Sequence, residues 1–350
     1  MKARDSYFDN AKFLLIFLVV FGHLIQSFIQ DYESVLTVYK VIYTFHMPAF
    51  ILIAGYFSKG FKKEGYLLNL CKKLLIPYVI FQILYSIYYF FIYSKSSFFV
   101  DPLNPHWSLW FLISLLCWNG FLFLYHRWKP YLSISIAITV ALLVGYVDWV
   151  SNYLSLSRTF VFFPFFVVGY FLERKHFTHL WKWRTRIISL VIITIVTVFF
   201  AIYPELSEKW LLGSKPYEEL GALGISGALN RFMLFGLSFI MIISFLSFVP
   251  TTKLFFTHLG RNTLYVYLLH GFFIRTFRVS EVKDVFQSPG SLLWLIGISL
   301  CLTLVLSSKF ITAFFQPIIE LRLNRLRQFF KAERNKKNDT ISTNVTSSKN

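Results

Sequence analysis

The chain reads as an all-α polytopic membrane protein, with about ten transmembrane helices in one bundle. Three observations point there. Of 350 residues, 56% are hydrophobic and only 15% charged, where an ordinary soluble domain carries about 25% charged residues. Phe and Tyr alone number 42 and 20, which suits lipid-facing and interfacial surface better than a single soluble core. And apolar runs recur along the chain at lengths near the roughly 20 residues that cross a bilayer.

Ten runs qualify in order: 11–30, 35–57, 74–93, 107–125, 132–147, 160–172, 187–203, 229–249, 259–274 and 292–316. The sixth and ninth are short. The first is too long for a signal peptide, has no small-x-small cleavage site and carries Asp5 and Asp9 in its flank, so it reads as a retained helix. The connection 204–228 contains Pro204, Pro216 and several glycines and reads as a loop with some helix. These spans make 1–316 a single transmembrane domain. Beyond it, 317–334 reads as a basic amphipathic segment on the inner leaflet, and 335–350, polar and without aromatics, as a disordered cytoplasmic tail.

The net charge of +18 belongs to topology and excludes nucleic acid as the natural partner, because Lys and Arg sit in the short connections and the tail. With the N-terminus in the cytoplasm, the inner connections and termini hold 23 Lys and Arg and the outer ones hold 7. The expected location is therefore the cell membrane, multi-pass, with both termini cytoplasmic and the lipid bilayer as constant partner. Cys71, Cys117 and Cys301 form no Cys-x-x-Cys, so the sequence offers neither a disulfide framework nor a metal site.

Three histidines fall inside spans. Helical rise of 1.5 Å per residue places His23 about 18 Å along the first helix, and His46 and His270 each about 16 Å from the inner end of theirs. Ionisable groups in hydrocarbon are costly and mark functional sites by default. A neutral imidazole serves as a general base or as a nucleophile that accepts an acyl group. It also serves simply to hydrogen-bond a neighbouring helix. Lys12 lies three residues after Asp9, on the same helix face, and suits either an anionic cofactor or a snorkelling pair with Asp9. Lys62, Lys63, Lys72 and Lys73 crowd the next inner loop, where they satisfy the positive-inside rule and also suit cofactor phosphates. On the outer side, His106, Trp107 and Trp110 suit a sugar platform or an aromatic belt. Arg158 and Arg231 are either interfacial anchors or the lining of an acceptor cleft. Phosphate-loop, dinucleotide, Gly-x-Ser-x-Gly and His-Glu-x-x-His motifs are all absent.

Several segments together resemble a known family. They are Phe8-Asp9-Asn10-Ala11-Lys12 through Gly22-His23, Phe45-His46-Met47-Pro48 with Ala54-Gly55-Tyr56-Phe57, and Leu75-Ile76-Pro77-Tyr78. His106-Trp107-Ser108-Leu109-Trp110-Phe111-Leu112, Phe163-Pro164-Phe165-Phe166-Val167-Val168-Gly169-Tyr170 and the run from Leu259 to His270 complete them. In order and spacing, over about residues 5–316, they resemble the membrane-bound acyltransferase 3 family, and within it the branch of bacterial fucose 4-O-acetylases. The resemblance implies ten helices and a donor such as acetyl-CoA or another acyl-CoA on the cytosolic side, with no tightly bound cofactor. It implies acylation of a sugar hydroxyl in a cell-surface glycan or glycolipid. The family's essential histidine corresponds to His23. Its usual arginine eleven residues earlier is Lys12 here, which removes bidentate binding and leaves a point charge. The family's Arg-x-x-Arg between helices two and three is missing, and Lys62-Lys63 and Lys72-Lys73 are the basic candidates in its place. A transporter or flippase for a glycan or lipid precursor is the alternative from another class, since buried histidines also suit proton-coupled transport.

Overall fold

The computed structural model describes residues 5–94, 97–150, 153–222, 224–286 and 290–320. Among them, thirteen α-helices and short 3₁₀ turns account for all regular structure. Six helical stretches are long and apolar enough to cross a membrane. They are built on α1 (Ser6–Ile25), α2 (Glu33–Phe57), α3 (Tyr66–Ile92), α6 (Leu156–Phe171), α8 (Trp183–Ile202) and α10 (Ile225–Phe248). α4 (Trp110–Tyr125) and α5 (Pro130–Leu143) are shorter and apolar, and α11 (Thr263–Val279) is short and carries two arginines. α7 (Arg174–Thr178) and α9 (Lys209–Leu212) are single turns in connections.

Each of the ten apolar runs falls on helix, but 292–316 is not one straight span. It splits into α12 (Ser291–Ser307) and α13 (Lys309–Ile319), bent by 61°. Ser308 is the cause: its backbone is extended, and its side chain accepts from the Ile311 N–H at 3.3 Å. That is an N-cap, which starts a new helix in a new direction. With the bent pair counted as one, the spans number up to seven, joined by the shorter apolar helices. The amphipathic segment 317–334 and the tail 335–350 lie outside the described residues beyond Glu320.

Local chemistry sets the helix ends. Asp5 caps α1 by accepting from the Tyr7 N–H at 3.0 Å. Pro130 occupies the first turn of α5, where a missing N–H costs nothing. The connection after α8 is tied down by Lys40, 1% exposed, whose Nζ donates to the Pro204 carbonyl at 2.7 Å. Further along that connection, α9 brings Leu211 and Leu212 to the centre of the bundle.

α2 and α6 form the tightest crossing. A Cβ on Gly55 would stand 2.1 Å from the Phe166 carbonyl oxygen, and one on Gly169 would stand 1.9 Å from that of Leu52. Only glycine at both places lets the two backbones meet, and close backbone approach is what holds helices together in lipid. Around this crossing sits one apolar core, including Phe45, Leu52, Val161, Phe166 and Phe235. A second core joins α1, α3 and α11 through Val20, Tyr85, Val266 and Leu268. α1, α2 and α4 contribute to both cores, and the central cavities lie along the seam between them.

Candidate active site

His23 stands in the last turns of α1 and is half-buried, whereas His46 on α2 and His270 on α11 are fully buried. The structure brings all three together. The His23 and His270 rings stack with centroids 5.6 Å apart. Tyr43 bridges the other pair: its hydroxyl is 3.1 Å from His23 Nδ1, and its ring centroid lies 4.5 Å from that of His46. Tyr43 and His46 are three residues apart and so share one face of α2.

Backbone carbonyls fix two of the tautomers. His46 Nδ1 is 2.9 Å from the Ile42 carbonyl oxygen. His270 Nδ1 is 3.0 Å from the Val266 and 2.8 Å from the Tyr267 carbonyl oxygen. A carbonyl only accepts, so Nδ1 carries the proton in both rings, and Nε2 of the neutral imidazole is left as an acceptor. His270 Nε2 is buried and has no hydrogen-bond partner among the described residues. Buried polar atoms are rarely left unpaired, and one at such a site is expected where a ligand or water completes the set.

A cavity of about 130 Å³ opens beside His23. His46, Tyr43, Gln26, Trp107, Trp110, Arg158 and Tyr267 are among its walls. Trp107 lies against His23 with ring centroids 4.4 Å apart, on a backbone held at φ 36°. A bulky residue in that left-handed region is strained, and the surroundings must hold it there. The Tyr267 hydroxyl donates to the Ser108 carbonyl in the same turn. Arg158 packs its guanidinium 5.2 Å from the Trp110 ring centroid and donates from Nε to the Leu212 carbonyl at 3.3 Å.

Two further cavities continue from this one toward the Asp9 end of α1. The first, about 240 Å³, is almost wholly apolar and shares Val19, Met47 and Tyr267 with the cavity at His23. The second, about 460 Å³, shares Leu264 with the first and is lined by Lys72, Lys73, Asn69 and Glu320. A basic mouth, an apolar slot and a histidine cluster therefore follow one another along the seam.

Other sequence candidates lie outside the His23 cavity, with Arg231 lining a small neighbouring cavity that shares Tyr43, Phe162 and Leu211 with it. Lys62 and Lys63 are exposed and line none of these cavities. Lys12 pairs with Asp9 at 2.7 Å, and Arg261 approaches the same carboxylate at 3.6 Å. His106 Nε2 meets Ser86 Oγ at 2.8 Å, and the His106 backbone N–H donates to Gln82 Oε1 at 3.0 Å, so it fastens its turn to α3 instead of lining the cavity. Arg231 is 4% exposed, donates to the Ala141 and Lys215 carbonyls at 3.1 and 3.2 Å, and packs on Tyr217. It braces α10 against α5 and the 203–224 connection. Tyr43, Tyr267 and Gln26 were not singled out from the sequence. Each stands three residues from one of the histidines, Tyr43 from His46, Tyr267 from His270 and Gln26 from His23, and that spacing is the signal that could have found them. No group of three His, Cys, Asp or Glu among the described residues is placed to hold a metal ion.

Residues 5–309 match the acyltransferase 3 family, described as an acyltransferase domain. A 60-residue stretch is 47% identical to nodulation protein NolL of Mesorhizobium japonicum, and a stretch of the same length is 47% identical to nodulation protein NolL of Sinorhizobium fredii. Each stretch covers 16% of this chain and 16% of the relative. No solved structure is a significant match. With the family match running over nearly all of a multi-helix membrane bundle, the chain belongs to the acyltransferase 3 family.

Proposed function

We propose that this enzyme moves an acyl group, acetyl in the first instance, from acyl-CoA to a sugar hydroxyl of a cell-surface glycan or glycolipid. The observation that carries the reading is the line of cavities from Lys72 and Lys73 to His23. An acyl-CoA has the matching order of parts: an anionic nucleotide end, a thin and mostly uncharged arm, and a thioester at the tip. Lys72 and Lys73 would take phosphate as point charges, the slot would take the arm, and the thioester carbonyl would lie at His23. The acceptor would enter from the opposite end, past Trp107, Trp110 and Arg158, where aromatic faces suit a sugar ring. The short resemblance to two nodulation proteins adds no acceptor identity of its own.

Transfer to an alcohol requires that the hydroxyl lose its proton as its oxygen attacks the thioester carbon. The carbon–sulfur bond then breaks, and the thiolate takes up a proton. In this reading His23 receives the hydroxyl proton and returns it to the sulfur, or carries the acyl group itself between the two steps. Tyr43 orients the His23 ring through Nδ1, as the third member of a triad orients its base. His46 lines the same cavity and His270 stacks on the His23 ring, each with Nδ1 locked by backbone carbonyls and Nε2 left as an acceptor, which suits positioning or relay.

The test is transfer of labelled acetyl from acetyl-CoA to a glycolipid fraction by membranes holding the full chain. Label in the lipid-extractable glycan, lost when acetyl-CoA is replaced by free acetate, supports the reading. Movement of unacetylated glycolipid across the membrane without label incorporation contradicts it. The orientation belongs to the same proposal: Lys72 and Lys73 must face the cytosol, where acyl-CoA is. In a chain whose native cysteines are replaced, Glu64→Cys should label only after permeabilisation and Ser207→Cys should label from outside.

A further inference from the structure

Two arginines on α11 stand beside the catalytic cavity with no carboxylate among the described residues to answer them. Arg275 and Arg278 hold their guanidinium carbons 4.8 and 5.5 Å from the ring centroid of the same residue, Trp107. That ring lies against His23. Arg278 Nη2 donates to the His23 carbonyl and to Gln26 Oε1, both at 2.7 Å, and so caps the end of α1. Arg275 Nη1 reaches the Tyr93 hydroxyl at 3.4 Å, and its guanidinium also faces the Tyr89 ring at 5.5 Å. Neither arginine takes part in any ion pair among the described residues. Glu281 and Asp284 follow on the same strand of chain and pair with neither. In both arginines Nε is buried and lacks a hydrogen-bond partner.

Two cations sharing one ring repel each other, and orphaned donors add to the cost. The positive-inside rule gives no reason for them, because they lie at the His23 end of the bundle, which the proposed orientation places outside. Arginine pairs are the usual receptors for planar oxyanions, which they bind through paired N–H groups. The Trp107 ring touches both arginines and His23, so an anion held there would carry a neighbouring hydroxyl toward the imidazole.

Resting on the transferase reading, we infer that Arg275 and Arg278 form an oxyanion-binding subsite for the acceptor. The acceptor is thus an acidic glycan, its charge being either a carboxylate on the sugar or the phosphate that links a sugar to its lipid. Ligand-observed NMR on the purified full chain in detergent tests this with three probes: glucuronic acid, glucose 1-phosphate and glucose. At least one anion should bind and glucose should bind about tenfold more weakly or not at all. Arg275→Gln, which leaves the α1 cap in place, and Arg278→Gln should each weaken the anion about tenfold, with partial retention in Arg278→Lys. Preference for glucuronic acid assigns the charge to the sugar, and preference for glucose 1-phosphate assigns it to the linkage. The measurement needs no turnover, so anion binding without acetyl transfer would sink the transferase reading and leave the subsite standing. Equal binding of all three probes, binding of none, or unweakened anion binding by correctly folded Arg275→Gln would overturn the subsite.

Discussion

The Tyr43 hydroxyl sits 3.1 Å from His23 Nδ1 and is the direct link between α2 and the histidine of α1. Its ring also lies against His46. One side chain thus ties together two histidines on different helices. Tyr43→Phe keeps the ring and deletes only the hydroxyl. It should lower the rate of acyl transfer by roughly tenfold, the worth of one uncharged hydrogen bond. Acyl-CoA affinity should stay unchanged, since the hydroxyl is not in the donor slot. Steady-state kinetics on the variant check both, and an unchanged kcat would make Tyr43 a packing residue.

Lys72 and Lys73 line the cavity that leads to the apolar slot, whereas Lys62 and Lys63 do not. Replacing the first pair with alanine should raise the KM for acetyl-CoA by about tenfold and weaken its dependence on salt. The same change at Lys62 and Lys63 should leave KM within about twofold, as expected for solvated cations. Equal effects from the two pairs would mean that only the total charge of the inner surface matters.

Lys12 has a structural duty whatever its part in donor binding. Asp9 is 2% exposed, and Lys12 is its nearest cation. Lys12→Ala should impair donor use and also lower thermal stability, because the buried Asp9 loses its nearest cation. The stability loss should be about 1–3 kcal/mol, the cost of an incompletely paired buried group. Lys12→Arg should retain most of both. A melting curve and a donor titration separate the two effects.

The crossing of α2 and α6 leaves no room for a methyl group. Gly169→Ala would press a Cβ against the Leu52 carbonyl, forcing apart the helices that carry His46 and Arg158. It should cost about 1–3 kcal/mol of stability. Activity should fall more than melting temperature does, because the cavity walls move. Normal activity at a lowered melting temperature would show that the site tolerates the shift.

How much of this was legible in the chain depends on which interactions are local. The ten apolar runs were visible because span length and hydropathy are local properties, and helix rise alone put His23, His46 and His270 at one depth. Asp9 and Lys12 could be paired from their spacing. The break at Ser308 was hidden because an apolar run says nothing of a cap inside it, and a serine in a membrane helix is equally at home without one. Arg231 and His106 looked like candidates of the same rank as Arg158 and Trp107. Only tertiary contacts reveal that the first two hold backbone carbonyls and α3 while the latter two face the cavity. The meeting of Arg275 and Arg278 at Trp107 joins residues some 170 positions apart, beyond any local pattern.

The central claim is that His23 performs the proton or acyl transfer, and His23→Gln tests it most directly. Glutamine can keep a hydrogen bond to Tyr43 but cannot take up a proton at neutral pH. The measurement is acetyl transfer from acetyl-CoA by a variant that inserts and elutes like the parent. The account predicts a fall of roughly 10²–10⁴-fold if His23 is a general base, and more if it carries the acyl group. Near-normal transfer by a well-folded His23→Gln enzyme would contradict it and leave His23 as a helix-packing residue.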